Sequence, residues 1–195
     1  MESIKENMQA RELLGSTVER NVQYMNYFTK DMWTGLGNKR NYKELKKKWE
    51  NVIDEYNTQF ENIKTRLSVS TYEYFKQYSF HDSKLISLNV LDINNFDKSA
   101  KEDIKQPLGA SLKISSGYSE DIYIIEYKNV IKLNIIYSNK NQLFDYFCDS
   151  LGVIGYDELT DKDGSYLKHE FLFSTGSTIE LVCKEINAYR LEEKK

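Results

Sequence analysis

The sequence is poor in the residues that punctuate or crosslink a chain. One proline and nine glycines in 195 residues argue against a disordered or low-complexity chain and for long, uninterrupted elements. The two cysteines, Cys148 and Cys183, stand far apart, each after an apolar neighbour. They are too few for a disulfide framework and read as buried free thiols of a reducing compartment. Two histidines exclude a His-rich metal centre. No apolar run approaches the roughly 18 residues of a membrane span. Met1 to Gly15 alternates charged and apolar residues and lacks the apolar core of a signal peptide. The expectation is a cytoplasmic protein with no membrane partner.

Positive charge is scarce as well. The net charge is −3 and the pI is near 5.6. Nucleic-acid binding needs a basic footprint to neutralise phosphates, so that class is excluded. The one basic run, Lys46 to Lys48 with Lys43, is interleaved with Glu44 and Glu50 and reads as a solvated helix face. There is no Gly-rich phosphate loop, no Gly-x-Ser-x-Gly, no Cys-x-x-Cys and no His-Glu-x-x-His. Asp161-Lys162-Asp163-Gly164 resembles the opening of a calcium loop but lacks its fifth ligand and terminal Glu. The reading is therefore not an enzyme, with no cofactor and no metal.

What is abundant is tyrosine, at 15 residues. AT-rich coding would raise Tyr together with Lys, Asn and Ile. Clustered on a surface, the same residues make contact area, because the ring buries while the hydroxyl stays wet.

The first 79 residues carry helical periodicity. Ile4, Met8, Leu14, Val18, Val22, Met25, Phe28 and Met32 recur mostly at three and four, predicting a long amphipathic helix that ends near Gly35 and Gly37. Tyr42, Leu45, Trp49, Val52, Tyr56, Phe60, Ile63 and Leu67 predict a second, capped by Asn41 with Glu44. A short third helix follows, with Ser70 and Glu73 as its capping box. The two long helices should form an antiparallel hairpin, with Trp49, Val52, Tyr56 and Phe60 facing Val18, Val22, Met25 and Phe28. Trp33-Thr34-Gly35 in the turn resembles the Trp-x-Gly of small type VII secretion substrates. Their Tyr-x-x-x-Asp/Glu signal is misplaced here, at Tyr27 to Asp31 and Tyr189 to Glu193.

From residue 80 to 195 the period changes to two. Strands are expected at Ile86–Val90, around Leu112–Ile114, at Ile122–Tyr127 and at Ile131–Tyr137. A short inserted helix is expected over Gln142–Leu151. A meander of Gly155–Thr160, Tyr166–Phe173 and Thr178–Glu185 closes the chain, turning at Asp161–Gly164 and Ser174–Ser177. The fold class is α+β: a helical hairpin and short helix, residues 1–79, on a mostly antiparallel sheet, residues 80–195. Together these make one compact unit.

Two clusters carry whatever chemistry the chain has. His81, Asp82 and Ser83 sit where helix gives way to strand. There they read as a polar corner whose short side chains satisfy backbone groups, with metal or proton chemistry as the alternative. Glu158, His169 and Cys183 fall on one apolar face if Phe173 pairs with Ile179. A carboxylate, an imidazole and a thiol in that order would suit nucleophilic catalysis. Against it, the thiol is mid-strand, without a helix N-terminus or cation to activate it.

Phe80-His81-Asp82-Ser83-Lys84-Leu85-Ile86, Tyr156-Asp157-Glu158-Leu159, Lys168 to Gly176 and Ile179-Glu180-Leu181 together resemble a group of uncharacterised Firmicutes proteins. These have a helical start, a His-Asp-Ser/Ala corner and a terminal Tyr-Asp-Glu meander, and the resemblance covers about residues 70–190. It implies no activity and no catalytic residues. By analogy of context it implies a small immunity protein that binds and neutralises a toxin domain. The leading expectation is thus a cytoplasmic protein-binding protein of immunity type, homodimer possible. The alternatives are a small hydrolase-like enzyme at His81/Asp82 or Glu158/His169, and a type VII secretion-associated hairpin.

Overall fold

The computed structural model describes residues 25–36, 42–91, 108–138 and 150–191. Helix α1 (Lys30–Leu36) is followed by α2 (Tyr42–Asn62), a 3-10 turn (Lys64–Arg66) and α3 (Val69–Gln77). Eight strands follow: β1 (Lys84–Leu91), β2 (Leu108–Ser115), β3 (Ile122–Val130), β4 (Lys132–Ile136), β5 (Ile154–Asp161), β6 (Leu167–Phe173), β7 (Thr178–Cys183) and β8 (Glu185–Leu191). The fold is α+β, as expected, and every strand pair is antiparallel.

The strands form two four-stranded sheets, ordered β1-β2-β3-β8 and β4-β7-β6-β5. β3 runs into β4 and β7 into β8, so one long ribbon belongs to both sheets. At its bend residues 129–131 lie opposite 183–184, a bulge with Asn129 in the left-handed region at φ 54°. Bulges of this kind let strands turn a corner between packed sheets. At the opposite corner β1 meets β5 through a single bridge, Lys84 to Val153. The inner faces enclose the core, with Leu112, Ile114, Ile125, Tyr127, Leu159, Phe171, Leu181 and Cys183 among its buried residues. β8 was not expected as a separate strand, although Ile186 and Ala188 alternate inward in its sequence.

The helices cover what the sheets leave open. α3 packs Tyr74 and Phe75 onto Phe80, Tyr123 and His169. Its cap is Ser68, whose Oγ accepts from Thr71 N–H, two residues before the expected Ser70. α2 ends at Asn62, short of the Ile63 and Leu67 that its rhythm includes, because the chain passes there into the 3-10 turn. Trp49, Val52, Ile53 and Tyr56 pack with Met25, Phe28, Tyr156 and Leu172 into a second core on the outer face of β5 and β6. The segment before α1 is not helical at residues 25–29, which corrects the single long first helix. Glu158 takes the backbone N–H groups that a helix would use internally. The remainder of that helix, with Val18 and Val22, and the Asn41 cap lie outside the described residues. So does most of the inserted helix over 142–151, of which Ser150 and Leu151 are described and are not helical.

Trp33 belongs to α1 rather than to the hairpin turn. The outer carbons of its indole lie against Gly155, and the ring meets Tyr156 edge-on. A Cβ at Gly155 would overlap the ring, so this glycine, at the bulge between the pairs Ile154–Phe173 and Tyr156–Leu172, lets α1 lie directly on the strand.

Candidate functional site

The segment Phe80 to Ser83 is a tight turn closed by Ser83 N–H to the Phe80 carbonyl at 2.9 Å. Asp82, at φ 61°, occupies the position that demands the left-handed conformation, which Asp adopts more readily than most residues. Backbone bonds to the start of β5 complete the corner: Asp82 N–H to the Ile154 carbonyl at 2.8 Å and Ile154 N–H to the Ser83 carbonyl at 2.7 Å. The expected role of Asp82 and Ser83 side chains as backbone caps is therefore corrected. The main chain satisfies itself against β5, and the side chains of His81 and Asp82 are left for the surface.

Those side chains form a cluster. Asp82 Oδ2 accepts from the Tyr118 hydroxyl at 2.7 Å and lies 3.0 Å from His81 Nδ1, and the His81 ring meets Tyr156 edge-on. The bond to Asp82 pushes the Tyr118 hydroxyl up, which keeps it a donor. Tyr118 comes from the β2–β3 turn, where Gly117 touches the Asp82 backbone so closely that any Cβ would collide. Tyr118 carries no sequence signal, since nothing in its neighbourhood predicts that its turn folds back on the corner. Chemically the cluster can orient an imidazole and present a carboxylate and a phenol at the surface.

Beside this corner lies a groove of about 930 Å³, lined by Trp33, His81, Leu85, Leu88, Gly152 and Val153. One wall is β1, an edge strand. Its pairing places Leu85, Leu88 and Val90 opposite Ile114, Leu112 and Ala110, on the core-facing side of the sheet. Yet Val90 is 47 % exposed, as are Ile86 and Leu91 to about the same degree.

The second predicted cluster does not assemble. β6 pairs with β7 so that His169 faces Leu181 and Leu167 faces Cys183, two residues along from the expected register but with the same parity. Both His169 and Cys183 point into the core. Glu158 pairs with Glu170 and lies on the opposite face. The cause is the β5–β6 loop. Asp161 pairs with Leu167, leaving the odd-numbered loop 162–166. Asp163 Oδ1 holds that loop by accepting from Ser165 and Tyr166 N–H. One extra loop residue reverses the facing of the whole strand. The remaining acid of this segment, Asp161, accepts from Gly164 N–H and pairs with Arg66, so both acids are turn supports.

His169, with no solvent exposure, instead bonds Tyr127 Oη through Nδ1 at 2.7 Å and approaches Asp157 Oδ2 through Nε2 at 3.4 Å. A carboxylate can only accept, so Nε2–H donates to Asp157, and the Tyr127 hydroxyl is placed to donate to Nδ1. Burial holds the Tyr127 hydroxyl protonated, consistent with that direction. Burial also pushes the Cys183 thiol up to about 12. A thiol held protonated is no nucleophile.

Sequence reasoning missed a third arrangement. Glu158, Glu170 and Glu180 are directly paired across β5, β6 and β7 and all buried. Like charges placed opposite one another destabilise a sheet, and each carboxylate has its own countermeasure. Glu158 accepts backbone N–H from Asn26, Tyr27 and Phe28 at 2.6–2.9 Å. Glu170 pairs with Lys168 at 2.5 Å and Glu180 with Lys132 at 2.6 Å. Among the described residues no group of three or more His, Cys, Asp or Glu side chains could hold a metal ion. Burial raises the Glu158 carboxyl. Burial and the two flanking glutamates raise Glu170 to about 7, with Lys168 opposing.

An α+β protein with two antiparallel sheets sharing a bent ribbon is the class these elements define. No family model and no curated protein matches the chain. Among solved structures it is similar to the crystal structure of an uncharacterized protein from Neisseria gonorrhoeae. The similarity spans 57% of this chain and 94% of that chain, at 20% identity and a TM-score of 0.39. A likeness at that level bears on neither fold nor function. No described helix is long and apolar enough to cross a membrane.

Proposed function

We propose that this chain is a cytoplasmic protein-binding protein of immunity type, and that it takes an extended segment of a toxin domain along the edge of β1. The observation that supports the reading is that two of the four sheet edges, β5 and β8, are capped by helices, whereas β1 beyond its single bridge, like β4, pairs on one side only among the described residues, and β1 lies beside the groove. The edge of β5 is capped by α2: Leu159 N–H donates to Tyr56 Oη at 3.1 Å, and the Leu159 carbonyl accepts from Gln59 Nε2 at 2.8 Å. The edge of β8 is capped by α3, with Ala188 N–H donating to Thr71 Oγ1 at 3.3 Å. Beyond the Lys84–Val153 bridge, β1 pairs with β2 alone among the described residues. It also presents half-exposed apolar side chains beside the groove. Main-chain bonds at a free edge supply affinity, and alternate side-chain pockets supply specificity. The acidic balance, the missing catalytic motifs and the resemblance of residues 70–190 favour a toxin as partner.

The test is capture of partners from the source strain with wild type and with Val90→Lys, which places a charge on β1 at a half-exposed position. A toxin domain retained by wild type at micromolar concentration and lost by V90K supports the reading. Equal retention by both proteins moves the interface elsewhere. Retention by neither removes the proposal, and a V90K-sensitive dimer of the chain itself would make β1 a self-pairing edge instead.

A further inference from the structure

The glutamate row lies under the segment that leads into α1, and the two are joined by one group. The Glu158 carboxylate gathers three consecutive backbone N–H groups, from Asn26 to Phe28. Met25 and Phe28 beside them insert into the second core against Leu172, Trp49 and Tyr56. Three N–H donors favour the charged form of Glu158 and oppose the burial that raises its carboxyl. Its in-register neighbour, one strand spacing of about 4.8 Å away, is Glu170, and beyond it stands Glu180. The charged and titratable groups facing Glu170 are Glu158 from β5, Lys168 from its own strand, Glu180 from β7 and Lys132 from β4. Tyr27 of the segment and Tyr56 of α2 face Glu158, and Glu55 of α2 faces Tyr27. Lys132 is spent on Glu180, which leaves Lys168 to balance two adjacent buried carboxylates.

We propose that residues 25–28 form a latch whose closure is coupled to uptake of one proton by the Glu158–Glu170 pair. Docking brings the main chain onto Glu158 and shuts water out from the pair, so the docked state prefers a single negative charge and the proton rests on Glu170. Undocked, the pair is hydrated and releases that proton. The sign follows from the raised carboxyl. Docking is favoured at pH below the ordinary carboxylate range and weakens as pH rises from about 4.5 to about 7. The limit is about tenfold per pH unit for a one-proton change, and the curve is level above that window. Opening carries α1 with it and lifts Trp33 off Gly155.

The measurement is amide hydrogen-exchange protection of Asn26, Tyr27 and Phe28 in the full chain between pH 5 and 8, corrected for intrinsic exchange. Wild type should lose at least tenfold protection across the window. Glu170→Gln, which keeps the shape and replaces the proton, should hold the pH 5 protection up to pH 8. Glu158→Gln should lose protection at every pH. Wild-type protection that is flat with pH, or an E170Q profile that parallels wild type, overturns the proposal. A readout independent of any variant's folding is the carboxyl carbon titration of wild-type glutamates. One midpoint above pH 6 supports the latch, and none above pH 6 overturns it.

Discussion

Replacing Tyr127 by Phe removes one oxygen atom from the middle of the core and leaves the ring in place. Tyr127 is 1 % exposed and His169 is fully buried, so no water can take over from the lost hydroxyl at His169 Nδ1. The cost is that of a buried acceptor without a donor, about 1–3 kcal/mol. It is smaller than the roughly 3–5 kcal/mol expected for emptying a neighbouring site by Phe171→Ala, because no cavity opens. Urea unfolding followed by circular dichroism measures it. With a slope of about 2–3 kcal/mol per molar for a chain of this size, the midpoint should fall by about 0.3–1.5 M with an unchanged slope. Adding His169→Leu removes the acceptor too, so the double variant should be less destabilised than the two singles added together. A Tyr127→Phe midpoint equal to wild type would mean that the hydroxyl reaches solvent, and the closed core described for these sheets would be wrong.

The Phe80–Ser83 turn makes an unusual prediction for a polar residue. Asp82→Gly should be within about 0.5 kcal/mol of wild type because glycine accepts φ 61° freely, whereas Asp82→Val should cost about 1–2 kcal/mol in backbone strain. Equal thermal midpoints for the two variants would show that the turn is not held left-handed. Gly155→Ala should displace the Trp33 indole, shifting its fluorescence to the red and lowering the thermal midpoint by several degrees. An unshifted spectrum would place the indole elsewhere.

Period and punctuation made most of the fold legible. The uninterrupted rhythm from Tyr42 to Phe60 gave α2, and the alternation around Ile86, Ile125 and Phe171 gave strands at the right places. Facing was less legible than existence. The loop after Asp161 holds an odd number of residues because Asp163 folds it into an Asx turn, and that one residue sends Glu158 to the outer face, away from His169. Local pattern cannot count a loop whose length is set by a side-chain bond. The first helix failed for a related reason. The apolar spacing through Met25 and Phe28 is compatible with a helix, but Glu158, 130 positions away, competes for the same N–H groups. The corner at His81 was located correctly from the change of period. Its partners, Ile154 and Tyr118, come from elements whose approach depends on the closure of both sheets.

The shared ribbon has a consequence for how the chain can be made. β3 waits for β8 and β4 waits for β7, and both partners come from Thr178 to Leu191, after every other described strand. During synthesis, helices α2 and α3 and the β1–β3 meander can form early, but neither sheet can close before that stretch clears the ribosome. Pairings so distant in sequence also slow the search, toward the millisecond-to-second range of strongly non-local β proteins. Through that interval the inner faces of β2 and β3, with Leu112, Ile114 and Ile125, stay uncovered. A nascent chain shortened by even its final hairpin arm would therefore be a client for chaperones rather than a smaller version of the fold.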